Sequence, residues 1–333
     1  MARLTVSAAP HIRAADTTAR IMLDVVIALL PAAVAAAVLF GPQAIFLIVL
    51  TVAAAVVTEA AVQKLQGRPV TVSDWSAVVT GMLLAYNLPP RAPWWLALAG
   101  AVIAIAIVKH AFGGLGHNFM NPALAARAIM LTAWPASMTA WLEPGTDAVS
   151  AATPLTVLKA GAAGAELPSL AEVFIGNIGG SIGEVSSLAL LIGAAYLLWR
   201  RIISWRIPLS FIGTVGVMTW IFSGPELFQG YWLYHILLGG VILGAFYMAT
   251  DYSSSPITPL GQLIMGAGCG FITVLIRIYG AYSEGTSFAI LIMNTATPVI
   301  DKYTMPRIYG TGRKKTRPEP VGGQPKASPA RSV

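Results

Sequence analysis

Charge is scarce in this chain. Only 11% of its 333 residues are Asp, Glu, Lys or Arg, against about 25% in soluble domains, so there are too few ionised groups for an ordinary water-facing surface and a soluble fold is excluded as the default. Acidic residues are the rarer sign, 14 against 21 Lys and Arg. In a soluble protein that surplus would suggest nucleic acid; beside 56% hydrophobic residues it is first a membrane-topology signal. Cysteine is nearly absent. The one thiol, Cys269, lies inside an apolar run, which excludes an intrachain disulfide and leaves no four-Cys iron–sulfur site or zinc cage in this chain. Any redox cofactor is therefore held another way. No cleavable leader is expected: residues 1–20 are polar and basic, and the first apolar run carries Asp24 near its start with no small-residue cleavage site after it, which reads as a retained anchor.

What the chain does have is apolar runs, at 21–40, 44–63, 75–88, 94–112, 121–142, 185–199, 207–223, 231–249, 260–279 and 286–301. At roughly 20 residues per span they predict an all-α polytopic membrane protein of about ten transmembrane helices. The third run is short and ends in Pro89 and Pro90, so it is expected to be a tilted or broken helix whose freed backbone groups face protein or water. Orientation follows from Lys and Arg. With the N-terminus cytoplasmic, that side receives Arg3, Arg13, Arg20, Lys64, Arg68, Lys109, Arg200, Arg201, Arg206, Lys302, Arg307, Arg313, Lys314, Lys315 and Arg317, and the other side keeps Arg91, Lys159 and Arg277. The asymmetry places both termini in the cytoplasm. The long acidic loop 143–184 then lies outside it. The organisation expected is a cytoplasmic segment (1–20), a first five-helix half (21–142), the outer loop (143–184), a second five-helix half (185–305) and a basic, disordered cytoplasmic tail (306–333).

Five helices per half force the halves into opposite membrane orientations. Weak echoes agree: GMLLAYNLPPRAPWW resembles GAFYMATDYSSSPITPLG, and GHNFMNPALAARA resembles FAILIMNTATPVID, each an apolar helix interrupted by polar residues and proline. These predict two inverted repeats with broken helices around a shared centre.

Four segments carry polar groups that could do chemistry. In Gly113–Arg127, the glycines allow close backbone approach, and Arg127 at membrane depth costs about 2.5 to 3.5 kcal/mol, which demands a partner: a ligand phosphate or a carboxylate such as Glu59. Ala249–Gly261 offers Asp251 and three serines in a break, or is an ordinary turn opened by Pro256 and Pro259. Asn294–Tyr303 ends in Asp301 and Lys302, which read mainly as an interfacial pair; Glu59 and Asp24 complete the acidic set, with no spacing that defines a cation site. The fourth, DAVSAATPL at Asp147–Leu155, is on physics alone a turn in which Ser150 or Thr153 caps the helix that Pro154 opens, on an exposed, mobile loop.

That last segment resembles a flavinylation motif: Asp, then Ser or Thr, a small residue, Ala and Thr, the final Thr carrying FMN through a phosphoester. Together with GHNFMNPALAARA, the YSSSP break and the ten runs, the chain to about residue 310 resembles the RnfD/NqrB family of membrane electron-transport subunits. The brief N-terminal segment and the length are closer to the RnfD type. Ala148 and Ala151 depart from the family only in which small residue is present. The resemblance implies covalent FMN on Thr153, with Asp147, Ser150 and Ala152 recognised by a flavin transferase outside the cytoplasm. It leaves room for a second, non-covalent flavin such as riboflavin, with surroundings drawn from Gly116, His117, Asn118, Asn121, Arg127, Ser253, Ser254 and Ser255. It further implies a subunit, not catalytic alone, of a complex in the prokaryotic cytoplasmic membrane that passes electrons between ferredoxin and NAD and moves Na+ or H+. The chain has no dinucleotide fingerprint, so ferredoxin and NAD belong to other subunits. Two rival readings stand beside it: a quinone-reducing role of the NqrB type, and a solute channel or carrier, since inverted repeats serve passage equally well.

Overall fold

The computed structural model describes residues 16–142, 144, 149–150, 153–160, 167–184, 186–224, 226–280, 282 and 284–306. Asp147, Ala152, the first fifteen residues and everything from 307 onward lie outside the described residues. Within them, every apolar run contains a helix.

In the first half, α1 (Thr18–Phe40) starts where the Thr17 side chain accepts a bond from the Arg20 N–H. It turns at Gly41, φ +72°, directly into α2 (Pro42–Leu65), whose first position is proline. Then come α3 (Ser76–Tyr86), α4 (Trp94–Val102) with a π-helical continuation over Ile103–His110, α5 (Pro122–Ala133) and the single turn α6 (Pro135–Met138). The connection carries β1 (Trp141–Leu142), paired antiparallel with β2 (Val149–Ser150), then α7 (Pro154–Ala160) and α8 (Leu170–Ile175), which opens with a Ser169–Glu172 capping box. The second half holds α9 (Ser187–Trp199), α10 (Arg206–Phe222), α11 (Trp232–Leu237), α12 (Val241–Leu243) with a π-helical continuation over Gly244–Met248, α13 (Pro259–Tyr279) and α14 (Thr286–Thr304). By length and composition α1, α2 and α13 are each able to cross a membrane; the other apolar helices are shorter.

Two runs differ from their expected form. In the run 121–142 the helix α5 stops at Ala133 and only the single turn α6 follows, because Pro135 cannot donate the bond that would continue α5. The run 231–249 is broken in its middle as well as at its end: Gly239 and Gly240 both take positive φ, +69° and +67°, a conformation that glycine adopts without strain and that separates α11 from α12.

Large apolar side chains point outward, among them Val34, Val38, Val49, Val57, Leu209 and Ile257, while the buried faces of α1 and α2 set Ala28, Ala32, Ala36, Ala44 and Ala55 between the larger Leu29, Phe40, Leu47 and Ile48. An apolar outer face with alanines among the buried residues is the packing of helices in lipid, where close backbone approach rather than water exclusion drives association. α1 packs on α9, α5 on α14, α2 on α3 and α4, and α10 on α13 and the stretch after α12. At the α1–α9 crossing a Cβ on Gly193 would stand 1.9 Å from the Ala28 carbonyl oxygen. Two tyrosines fasten α1 from both halves: Tyr86 donates to the Leu29 carbonyl (2.6 Å), Tyr247 to the Ala28 (3.2 Å) and Leu190 (2.8 Å) carbonyls. The connection also turns back on α3, for the Ile182 and Gly183 N–H groups donate to the Leu88 and Tyr86 carbonyls, both at 3.0 Å. Those acceptors are the ones a helix end leaves without partners.

Candidate functional site

The interrupted helices meet. Asn121 caps α5 by accepting from the Ala123 (3.1 Å) and Leu124 (3.3 Å) N–H groups, and donates to the Met248 carbonyl (3.4 Å) at the end of the second π stretch. With its amide oriented to suit its neighbours, Asn294, midway along α14, accepts from the Asn121 N–H (3.1 Å) and donates to the Ser254 carbonyl (3.2 Å). Asn87, at the end of α3, donates to the Leu83 carbonyl (2.6 Å) and abuts the Met248 sulfur (4.0 Å). Thr297 holds the Ser254 carbonyl as well (2.9 Å). The echoed motifs of the two halves thus bind one another through buried amides and broken helix ends, which satisfies backbone groups that lipid would leave bare.

Beside this junction, on the face where α1 begins and α14 ends, lies a cleft between the halves. Asn118, Asn121, Ser253 and Asp251 line it with Ser76, Lys109 and Tyr247. Lys109 is the unexpected member. It is 1% exposed, and its ammonium binds both Glu59 oxygens (2.8 and 2.9 Å) and the Ser76 hydroxyl (2.7 Å). Glu59 is also 3.4 Å from His110 Nε2 and receives Gln63 Nε2 at 3.3 Å. Lys109 is therefore a buried partner of Glu59 and not the loop charge assumed in the topology count. The Asp251 carboxylate accepts from Ser253 (2.9 Å) and Ser254 (3.1 Å), and its enclosure holds its pKa above the usual carboxylate value. The Gly-rich turn before α5 needs its glycines, since Gly113, Gly114 and Gly116 all have positive φ. Asp301, expected to pair with Lys302 at the interface, instead accepts from the Ile257 N–H (3.2 Å) and pins the polar break.

The opposite face, where α14 begins, holds a second buried cluster. Arg127 bonds Glu284 and, at 2.5 Å, the Ser287 hydroxyl. This corrects the Glu59 partner considered from the sequence: Lys109 occupies Glu59, and α5 turns Arg127 toward the start of α14. Arg277 is 2% exposed and donates to the carbonyls of His235 (2.5 Å), Leu238 (2.9 Å) and Gly239 (3.1 Å), closing the end of α11. Glu184 is buried, with one carboxylate oxygen lacking any partner. A small cavity joins Glu184 and Glu284 to Thr153, Gly180, Leu155 and Gly239. Thr153 itself is only 5% exposed, which corrects the exposed loop position expected for it. Its hydroxyl caps α7, 3.3 Å from the Thr156 N–H and 3.0 Å from the Thr156 hydroxyl.

Two predictions arise here. Truncating one partner of a buried pair costs about 3 to 5 kcal/mol, so Arg127→Leu should lower the yield of folded protein in detergent well below that of wild type; equal yield would show that the Glu284 bridge contributes little. Burial, and then the Glu284 charge, push the Glu184 pKa up from 4.5 to about 8, against the opposing pull of Arg127. The folded state then holds an extra proton between those values, and stability falls as pH rises through the window, by at most about 1.4 kcal/mol per unit. Between about pH 6 and about pH 8 the thermal midpoint of Glu184→Gln should decline less than that of wild type; parallel declines would assign the pH dependence elsewhere.

Of the residues picked from the sequence, the fold brings Asn118, Asn121 and Ser253 into one cleft and sets Ser254 behind it against α14. Gly116 and His117 are exposed on the turn before α5, Ser255 is half-buried beside the break, and Arg127 belongs to the opposite face. Ser150 contributes its backbone to the β1–β2 pair. Lys109, Glu184, Arg277 and Glu284 were not picked as site residues; an ionisable residue within an apolar run, as Lys109 and Arg277 are, was the available signal.

Comparison with known proteins bears on these features together. The model of the NQR2, RnfD, RnfE family matches residues 5–310. The D subunit of the Na(+)-translocating ferredoxin:NAD(+) oxidoreductase complex of Acetobacterium woodii is 53% identical over 315 residues, 94% of this chain and 97% of the relative. The D subunit of the proton-translocating ferredoxin:NAD(+) oxidoreductase complex of Clostridium ljungdahlii is 44% identical over 323 residues, 93% and 97% of the two chains. The D subunit of the ion-translocating oxidoreductase complex of Stutzerimonas stutzeri is 42% identical over 325 residues, 87% and 92% of the two.

Proposed function

The chain belongs to the NQR2, RnfD, RnfE family, and on that premise we propose that it is the membrane electron-transfer subunit of an ion-translocating ferredoxin:NAD oxidoreductase complex, carrying FMN on Thr153. The observation that carries the reading is the whole-length similarity to subunits of complexes with that name in two organisms. The relatives' names favour the ferredoxin:NAD role over the quinone and carrier readings. The complex moves Na+ or H+, and the other subunits bind ferredoxin and NAD.

The surroundings of Thr153 fit a tethered flavin. Among the described residues its hydroxyl has partners only within its own turn, so among them a phosphoester there disturbs one cap and no distant bond. FMN supplies the capacity to accept and release one or two electrons. The chain's own residues do the rest: Thr153 anchors, Asp147, Ser150 and Ala152 present the hydroxyl to a flavin transferase, and the wall formed by Gly180, Leu155 and Gly239 restricts water around the anchor. The cleft of Asn118, Asn121 and Ser253 is the place for a second, non-covalent flavin such as riboflavin.

The architecture we propose is ten membrane-embedded segments in two inverted five-helix repeats. Supporting it, the packing of the first half (α2 with α3 and α4) is repeated in the second (α10 with the α12 stretch and α13), and the first and fifth members pair across the halves as α1–α9 and α5–α14. Both ends lie in the cytoplasm and the 143–184 connection outside. A reporter fused within 161–166 should be accessible only from outside the cell and one at Thr311 only from inside; cytoplasmic labelling of the connection would remove both the orientation and the flavin site that depends on it. For the function, in-gel flavin fluorescence of the denatured chain, expressed with its transferase, should mark this band and persist after denaturation.

A further inference from the structure

Among the described residues, three buried polar side-chain atoms without a partner, Ser223 Oγ, His235 Nδ1 and Arg277 Nε, belong to residues that line one cavity. The cavity has a volume of about 130 Å³, and α7 forms one of its walls through Leu155, Leu158 and Lys159. Each of its polar walls can donate: the guanidinium N–H, the imidazole N–H in the tautomer with its proton on Nδ1, the hydroxyl, and the Lys159 ammonium, which already reaches the Tyr282 carbonyl at 3.0 Å. His235 and Arg277 are both more than nine-tenths buried.

Water would satisfy hydrogen bonds here, and at about 30 Å³ each four molecules would fit, but water would not answer the charge. Among the described residues no carboxylate lies within ion-pair distance of Arg277; of the two that act on it from further off, Glu284 already bridges Arg127, and Glu184, its pKa pushed up to about 8, keeps its proton at neutral pH. The carbonyl oxygens that Arg277 bonds carry partial charge only. A buried guanidinium with a donor to spare, beside two further donors and a lysine, is the donor set of an oxyanion site.

We propose that this cavity binds a phosphate group, held by Arg277 Nε, His235 Nδ1 and Ser223 Oγ with Lys159 at its edge. Two sources share that chemistry. Leu155 lines both this cavity and the one containing Thr153, so the phosphoester of a flavin on Thr153 is close at hand; this source rests on the functional reading above. The other is a free phosphate or phospholipid headgroup from the outer aqueous phase, which does not.

The test is thermal unfolding of the full chain in detergent, titrated with inorganic phosphate and, at equal ionic strength, with chloride. Thr153→Ala, which lacks the flavin, should show a saturable rise in midpoint with phosphate beyond that with chloride. His235→Phe and Ser223→Val, each in the Thr153→Ala background, should weaken the response at least several-fold while leaving the fold to Arg277. A flavin-loaded wild type that ignores phosphate assigns the seat to the flavin's own phosphate; one that responds like Thr153→Ala assigns it to a free phosphate or headgroup. Should mass spectrometry find no flavin on wild type, the functional reading fails and the phosphate response still decides the cavity. No response beyond chloride in Thr153→Ala, or a response untouched by both cavity variants, overturns the proposal.

Discussion

Thr153→Ala is expected to abolish the flavin fluorescence of the denatured band and to remove from the intact mass an adduct of FMN less water. The effect should be complete, because a phosphoester needs a hydroxyl and no other residue of the motif is proposed to carry the bond. The fold should survive. Losing an N-cap costs about 1 kcal/mol, and α7 is a seven-residue helix on the connection, not one of the long apolar helices. Ser150→Ala should reduce the modified fraction without eliminating it. An adduct retained in Thr153→Ala and lost in Ser150→Ala would move the site; no adduct in wild type would remove the relay. The burial of Thr153 adds a kinetic expectation. On the proposed attachment the transferase reaches the hydroxyl before α7 docks, so modification of already purified, folded chain should be slower than modification during synthesis, and equal rates would show that the turn opens readily.

Lys109→Met should be the most damaging single change to the fold. It strips the ammonium from Glu59 and Ser76 and leaves a carboxylate that is 1% exposed with only the Gln63 amide and His110 close by. Breaking a buried pair from one side costs about 3 to 5 kcal/mol, whereas replacing both members by uncharged groups is often neutral. The double variant Lys109→Met, Glu59→Gln should therefore recover much of the folded yield that Lys109→Met loses, read as monodisperse protein after extraction and as thermal midpoint. Wild-type behaviour of the single variant would mean that water reaches Glu59.

The ten runs were legible because membrane helices announce themselves by composition, and the places where they break were legible from Pro89, Pro90 and the serine-rich segment before Pro256. The meeting of Asn121 with Asn294 could be suspected from the echo between their motifs. The pairings of the charges were not legible. Lys109 finds Glu59 fifty positions earlier, and Arg127 finds Glu284 more than one hundred and fifty positions later; nothing in the spacing of either predicts its partner, only that a partner must exist. The break at Gly239 and Gly240 was missed because two glycines inside an apolar run are common in membrane helices, where they usually serve packing. Thr153 shows the reverse limit: its motif is plain in the sequence, while the cavity beside it is walled by residues 178–180, 184, 237–239 and 284, which the motif does not contain.

The bonds from Ile182 and Gly183 to the Leu88 and Tyr86 carbonyls bear on the order in which the chain can be assembled. α3 ends inside the protein, and until the far end of the connection has been synthesised the Tyr86 and Leu88 carbonyls lack these two donors and are left to water or lipid headgroups. A nascent first half is therefore an unfinished object, held in the insertion machinery or near the bilayer surface with an open seam, and it closes only when a segment made much later threads back against Tyr86. A chain cut within the connection would leave two fragments that each pass the membrane yet lack a seal, so complementation in trans should succeed only if the second fragment retains residues 177–184.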